Sequence, residues 1–151
     1  MADDRQLHVV MFPWFAQGHI TPFLNLAKSI LTSGHRILFF STLVNIEWIK
    51  KKIVPRIELV ELQLPFVDGL PAGVESMIGL SKIGRTDLVP LLFQEIDLCE
   101  QPFGALLKLL SPDFVIFDAT LWWTSWVANK MGVPTINFIA FDIAAMSFAK
   151  G

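Results

Sequence analysis

The sequence predicts an α/β protein built on a doubly wound, mostly parallel sheet with the strand order 3-2-1-4-5. Short, continuous apolar segments alternate along the chain with longer segments whose apolar residues recur every three or four positions. Strands that are apolar on both faces are typical of parallel sheets covered by helices. Crossovers between parallel strands are right-handed, which leaves few topologies to consider. Because 53% of the 151 residues are hydrophobic, a single domain can form a substantial core.

Five short apolar segments, each bounded by proline, glycine or polar residues, are predicted to form the strands. They cover residues 8–12, 36–41, 57–62, 113–118 and 134–140. Pro13 closes the first strand, and Pro55 separates the third strand from the helix before it. Each strand is followed by a longer segment, as the alternation of strand and helix requires.

Helical periodicity predicts the segments between the strands. They cover about 21–32, 44–52, 86–110 and 121–131, and another helix is expected to begin within 142–150. The helix over 86–110 is expected to be interrupted near Pro102. Gly34 and Gly132 follow two of these helices as C-caps. Residues 64–75 are rich in proline and glycine and predict a long loop of the kind that is often functional. Of Trp122, Trp123 and Trp126, at least one is expected in the core.

Charge and composition disfavour several classes of protein. The net charge is −2 and no basic patch is present, so we expect no nucleic-acid partner. Cys99 is the single cysteine, which excludes an internal disulfide and fits a reducing compartment. Residues 7–27 carry no charge, but prolines and polar residues interrupt them, so we expect no membrane span. The acidic start is unlike a signal peptide, and we expect a cytoplasmic protein.

Several familiar catalytic and nucleotide-binding motifs are missing from the sequence. No Gly-x-Gly-x-x-Gly follows the first strand, and no Gly-Lys-Ser/Thr of a P-loop is present. No Gly-x-Ser-x-Gly nucleophile elbow occurs. The histidines and the cysteine lack the spacing of a metal site, so no metal ligand is predicted.

The predicted topology places two polar segments together. In doubly wound sheets, ligands bind beyond the carboxyl ends of the strands where the strand order reverses, here between strands one and four. Gly18 and His19 follow strand one, and Asp118 ends strand four. A histidine paired with a carboxylate is held in one tautomer and can accept a proton from a hydroxyl group. Gly18 would let a ligand approach the backbone closely. Alternatively, His19 is an ordinary surface residue and Asp118 a helix cap.

Three aromatic residues lie at or near the same strand ends. Trp14 and Phe15 follow strand one, and Phe141 follows strand five. They are candidates for the apolar wall of a pocket for a planar small molecule, since such pockets are mainly apolar. The alternative is that they pack in the core. His8, at the opposite strand end, and His35, in a turn, are weaker candidates for chemistry.

Four segments of the chain resemble one family of enzymes. They are LHVVMFPWFAQGHITP at 7–22, SGHRILFFST at 33–42, LPFVDGLPAGVE at 64–75 and PDFVIFD at 112–118. In this order they resemble plant UDP-dependent glycosyltransferases, over about residues 7–150. The closest likeness is to the subgroup that acts on flavonoids, anthocyanins or terpenoids, including compounds that already carry a sugar.

The resemblance implies a fold, a reaction and site residues. Members have the GT-B architecture of two facing Rossmann-like domains, of which the amino-terminal one binds the acceptor and the other binds the UDP-sugar. It implies that His19 is the base that deprotonates the acceptor hydroxyl and that Asp118 orients that histidine. It also implies sugar transfer with inversion, no metal or cofactor, and a small-molecule acceptor and a UDP-sugar as partners.

The sequence departs from the family pattern in one respect. Residues 1–151 are expected to form a single, incomplete acceptor-binding domain, because the donor-binding signature of the family's carboxyl-terminal half does not occur. Catalysis requires both reactants to be held together, so we expect the chain alone to be inactive. The alternative is a non-catalytic, truncated protein that binds small phenolic compounds or pairs with another transferase.

Overall fold

A single parallel sheet forms the centre of the molecule. The computed structural model describes residues 5–52 and 56–139. The strands of the sheet lie in the order β3-β2-β1-β4-β5, and all four pairings are parallel. The strands are β1 (His8–Phe12), β2 (Arg36–Ser41), β3 (Ile57–Glu61), β4 (Phe114–Asp118) and β5 (Thr135–Phe138). The predicted fold class and strand order are confirmed.

The connections between the strands are helical. In the described part of the chain they contain α1 (Gln17–Thr32), α2 (Leu43–Lys50), α3 (Met77–Lys82), α4 (Val89–Leu98), α5 (Glu100–Leu110) and α6 (Thr124–Lys130). A short 3-10 turn, Thr86–Leu88, precedes α4. Within residues 5–52 and 56–139, none of the helices combines the length and the apolar character that crossing a bilayer would demand.

Both faces of the three central strands, β2, β1 and β4, are buried, and alternate residues of these strands supply the two sides of the core. One side joins strand residues to α5 and α6: Val10, Phe12, Leu38, Phe40, Val115 and Phe117 with Phe103 and Trp123. The other joins them to α1: Val9, Met11, Ile37, Phe39 and Ile116 with Ile20, Phe23 and Leu24. Because both sides are covered there, these three strands are almost continuously apolar, whereas the edge strands β3 and β5 contain polar and exposed residues.

Phe12 lies at the centre of an aromatic cluster on the first of these sides. Its ring is stacked on Phe103 with 4.7 Å between centroids, and Phe15, Phe40 and Trp123 lie within 6.1 Å of it. Trp123 is only 1% exposed, which confirms that at least one of the three tryptophans of this region is in the core. The cluster fixes β1 against α5 and the segment before α6.

The start of α1 differs from the sequence prediction. The helix begins at Gln17, four residues before the predicted start, since the carbonyl of Ala16 accepts the N–H groups of His19 and Ile20 at 2.9 Å. His19 therefore lies in the first turn of a helix and not in the loop before it. Pro22 lies in the second turn, where it has no N–H to donate to the carbonyl four residues earlier.

The helices between β3 and β4 also differ from the sequence prediction. The interruption predicted near Pro102 lies at Cys99, and Pro102 is in the first turn of α5, where a missing N–H costs nothing. Helix α3 was not predicted, although Ser76 caps it by accepting the N–H of Gly79 at 3.1 Å. The other limits shift by at most about three residues, within the usual disagreement at element ends. The helix predicted over 142–150 lies outside the described residues.

Candidate active site

His19 and Asp118 meet at the point where the strand order reverses. Phe12 and Phe117 are partners in the β1–β4 register, so the chain leaves both strands at the same edge of the sheet. His19 then lies in the first turn of α1, and Asp118 is the last residue of β4. His19 Nδ1 is 2.7 Å from Asp118 Oδ2, although the residues are 99 positions apart in the chain. The predicted pair is thus in direct contact.

Further hydrogen bonds hold the Asp118 carboxylate in place. Its Oδ2 also accepts the backbone N–H of Trp14 at 3.3 Å. Its Oδ1 accepts the backbone N–H of Thr120 at 3.2 Å and the Thr120 hydroxyl at 3.0 Å. The Asp118 side chain is only 4% exposed. A carboxylate with this number of donors has one orientation, which in turn fixes the imidazole of His19.

The environment keeps Asp118 ionised. Burial by itself raises the pKa of a carboxyl group, but the hydrogen bonds from His19 and Thr120 and the charge of His19 outweigh it, so the pKa of Asp118 lies below its ordinary value. An ionised carboxylate at Nδ1 favours the tautomer with its hydrogen on that nitrogen. The other ring nitrogen, Nε2, is then free to accept a proton, and the His19 side chain is 29% exposed.

The simpler alternative for Asp118, a cap for the following helix, does not match the structure. Helix α6 begins at Thr124 with Trp123 in the cap position, well past Asp118. Thr120 was not singled out from the sequence. The signal was present, because an Asp side chain that binds the N–H two residues later is a common turn pattern.

The aromatic candidates after β1 are part of the core. Phe15 is fully buried, and Trp14 packs against Phe15 and the half-exposed Phe93, with ring centroids 6.1 and 5.9 Å apart. Phe15 also lines a cavity of about 280 Å³ together with Ala16 and Gln17. Packing is therefore their observed role, and contact with an acceptor stays a prediction. Phe141, the third aromatic candidate, lies outside the described residues.

Gly18 lies beside His19 in the first turn of α1. A Cβ atom placed on Gly18 meets no atom within 4 Å, so packing within the described chain does not require glycine there. The open space is compatible with a ligand close to the backbone, which stays a prediction.

Of the weaker candidates, His35 has a structural contact, since its Nδ1 accepts the N–H of Leu7 at 3.1 Å. Over residues 5–52 and 56–139, no group of three or more His, Cys, Asp or Glu side chains is arranged to hold a metal ion.

Comparison with known proteins identifies relatives in plants. The chain is 40% identical over 143 residues to UDP-glycosyltransferase 79A2 of Stevia rebaudiana, covering 92% of this chain and 31% of that protein. It is 38% identical over 134 residues to anthocyanidin-3-O-glucoside rhamnosyltransferase of Petunia hybrida, covering 87% of this chain and 28% of the relative. The chain thus spans about a third of the length of these relatives. No family model matches the sequence.

Solved structures agree on the fold. UGT89C1 of Arabidopsis thaliana, in a crystal structure with quercetin, superposes with a TM-score of 0.75 at 22% identity, covering 95% of this chain and 37% of the other. CalG4, the calicheamicin glycosyltransferase, superposes with a TM-score of 0.62 at 17% identity, and the match covers 97% of this chain and 35% of CalG4. The likeness to these structures concerns the fold alone, whereas the sequence identities to the plant relatives place the chain in the plant UDP-glycosyltransferase family, where it matches the amino-terminal part of the members.

Proposed function

We propose that this chain is the acceptor-binding half of a UDP-glycosyltransferase and that His19 is its catalytic base. The observation that carries the proposal is the 2.7 Å contact between His19 Nδ1 and the buried carboxylate of Asp118 at the reversal of the strand order. Relatives that are named UDP-glycosyltransferases support the reaction type. The donor would be held mainly by a second domain.

The proposed reaction places the His19–Asp118 pair at the acceptor hydroxyl. An acceptor hydroxyl placed against Nε2 of His19 gives up its proton to that nitrogen as its oxygen attacks the anomeric carbon of the sugar. The new carbon–oxygen bond forms on the face opposite the bond to UDP, which breaks, and the product has inverted configuration. Asp118 stabilises the imidazolium that forms and keeps its charge while doing so. No other side chain is needed for the proton transfer.

The substrate class is inferred from the printed names of relatives. One acts on an anthocyanidin 3-O-glucoside, another on a β-D-glucosyl crocetin, and a structural neighbour was crystallised with quercetin. We therefore propose a hydroxyl of a small plant metabolite as the acceptor, in the flavonoid, anthocyanidin or terpenoid class, with a sugar already attached in some cases. Trp14, Phe15, Gly18 and Phe141 are proposed to contact it. A cytoplasmic location is part of the same proposal.

A chimera tests the proposed function. The matching amino-terminal segment of the Stevia rebaudiana relative is replaced by this chain, so that the rest of the relative supplies a donor-binding domain. We expect the chimera to transfer sugar from a UDP-sugar to a phenolic acceptor such as quercetin, with the glycoside detected by mass spectrometry. The isolated 151-residue chain is the control and should give no product, since it cannot hold both reactants together. A folded chimera without product, beside an active intact relative, would contradict the proposal.

Thr120 is predicted to position Asp118. Replacing Thr120 with valine keeps the shape of the side chain and the backbone N–H but removes the hydroxyl that Asp118 Oδ1 accepts. We expect kcat of the chimera to fall about tenfold, the effect of one hydrogen bond to a charged group. Thr120→Ser restores the hydroxyl and should stay within about twofold of the parent. Equal losses in both variants would mean that Thr120 acts only through packing.

A further inference from the structure

The cavity of about 280 Å³ that Phe15 lines adjoins the segment of the chain that carries His19. Residues 15–17, the first half of α2 and residues 73–82 surround it. Gln17 lines the cavity and lies in the same helical turn as His19, so a ligand in the cavity is beside the proposed base. Sites for whole small molecules usually have about 300–1,000 Å³, so this cavity suits one part of a large acceptor.

Polar side chains form much of the lining of this cavity. They are Gln17, Asn45, Glu75, Ser76 and Lys82. Pockets for planar apolar molecules have mainly apolar walls and few polar groups. This lining instead offers both hydrogen-bond donors and acceptors, and each hydroxyl of a sugar is likewise a donor and an acceptor. The cavity therefore suits a group with several hydroxyls better than it suits a flavonoid ring system.

Asn45 is the buried member of this polar set. The residue is only 7% exposed, and its Nδ2 donates to the hydroxyl oxygen of Thr42 at 3.0 Å, which fixes the direction of the amide. Its carbonyl oxygen, Oδ1, accepts no hydrogen bond from the described residues. Oδ1 is also not among the buried oxygens that are closed off from solvent without a partner, such as Oγ of Ser41. A ligand in the cavity can therefore reach it.

A hydroxyl donor completes the hydrogen bonding of Asn45. An acceptor in a mostly buried side chain is costly to leave without a donor, and native structures rarely keep one without a reason. The neighbouring side chains of Gln17 and Lys82 are exposed and form no hydrogen bond or ion pair with the described residues. Both can therefore turn toward the same ligand, which gives a buried, fixed contact and two adaptable ones.

We propose that Asn45 is a specificity-determining residue that selects acceptors with a sugar already attached, its Oδ1 accepting a hydroxyl of that sugar in the cavity. Gln17 and Lys82 contact further hydroxyls, and the half-exposed Val44 and Ile78 pack against the C–H groups of the ring. Relatives named as acting on an anthocyanidin 3-O-glucoside and on β-D-glucosyl crocetin use acceptors of this class. The inference rests on the proposed function and adds the residue that distinguishes a glycoside from its aglycone.

Two acceptors test the proposal in the chimera, quercetin 3-O-glucoside and quercetin. The quantity measured is the ratio of kcat/KM for the glucoside to kcat/KM for quercetin, which should exceed one in the parent chimera. Asn45→Leu has nearly the same size but no polar atom, and it should lower the ratio about three- to tenfold, the effect of one neutral hydrogen bond. Partial misfolding lowers both values of kcat/KM equally, so it leaves the ratio unchanged. A ratio in Asn45→Leu equal to that of the parent would overturn the proposal.

Two matched variants show whether Oδ1 itself is responsible. Asn45→Asp keeps an oxygen toward the cavity, so its ratio should not fall below about half that of the parent. Asn25→Leu makes the same chemical change as Asn45→Leu at an exposed residue of α1 outside the cavity, and it should keep the parent ratio. A loss in Asn45→Asp as large as that in Asn45→Leu, or an equal loss in Asn25→Leu, would overturn the assignment to Oδ1.

Direct binding to the 151-residue chain separates this inference from the proposed function. Calorimetric titration should show quercetin 3-O-glucoside binding at least about threefold more tightly than quercetin, and Asn45→Leu should remove the difference. If the glucoside is preferred in this titration but the chimera gives no product, only the proposed function fails. If the chimera transfers sugar but the parent chain binds both compounds equally, or binds quercetin more tightly, only the role of Asn45 fails.

Discussion

Replacing His19 with alanine in the chimera is expected to lower kcat for sugar transfer by about 10²–10⁴-fold. This is the usual contribution of a positioned general base, and the residual rate comes from holding the two substrates together. Acceptor KM should change little, because the imidazole acts on the reacting proton and contributes little to binding of the rest of the acceptor. Steady-state kinetics with quercetin, measured by liquid chromatography of the product, separates the two constants.

Asp118→Asn examines the other half of the same pair. The asparagine amide can donate a hydrogen bond to Nδ1 and so favours the wrong tautomer, in which Nε2 carries the hydrogen and cannot accept another. We expect Asp118→Asn to lower kcat about as much as His19→Ala does. In the double variant, the loss of kcat should be far smaller than the product of the two single losses, since the two residues act as a unit. His35→Ala is the control, and it should retain nearly full activity. A His19→Ala chimera that kept full activity would show that another group accepts the proton.

Replacing Phe12 with alanine is expected to lower the free energy of unfolding by about 3–5 kcal/mol. The side chain is fully buried at the centre of the aromatic cluster, and alanine would leave a cavity that the neighbouring rings cannot fill. Phe12→Leu keeps most of the volume and should cost about 1.5 kcal/mol or less if the cluster repacks. Urea unfolding followed by tryptophan fluorescence measures these differences in the 151-residue chain.

Phe66→Ala is the matched control for the Phe12 variant. The Phe66 ring is almost entirely in solvent, so its removal should change the free energy of unfolding by less than about 0.5 kcal/mol. A Phe12→Ala loss below about 1 kcal/mol would contradict the central role assigned to the cluster. It would mean that β1 is held mainly by its hydrogen bonds to β2 and β4.

The sequence predicts helix ends least accurately where one segment contains several residues that can begin or interrupt a helix. The sequence predicts an interruption of the long helix near Pro102, yet a proline in the first turn of a helix is harmless, and the break lies three residues earlier, at Cys99. Helix α1 likewise begins at Gln17, before the start predicted near Thr21. In both cases the position of the helix end depends on packing against the sheet, which residue type alone does not specify.

The sequence by itself determined the strand order, the burial of both faces of the central strands, and the meeting of His19 with Asp118. The reason is that continuous apolar strands with helical crossovers permit few topologies, and those topologies bring the ends of β1 and β4 together. Only the tertiary structure decided the hydrogen bonds by which Thr120 holds Asp118 and the stacking of Phe12 on Phe103. Those contacts depend on side-chain direction and burial, which the spacing of residues in a chain does not specify.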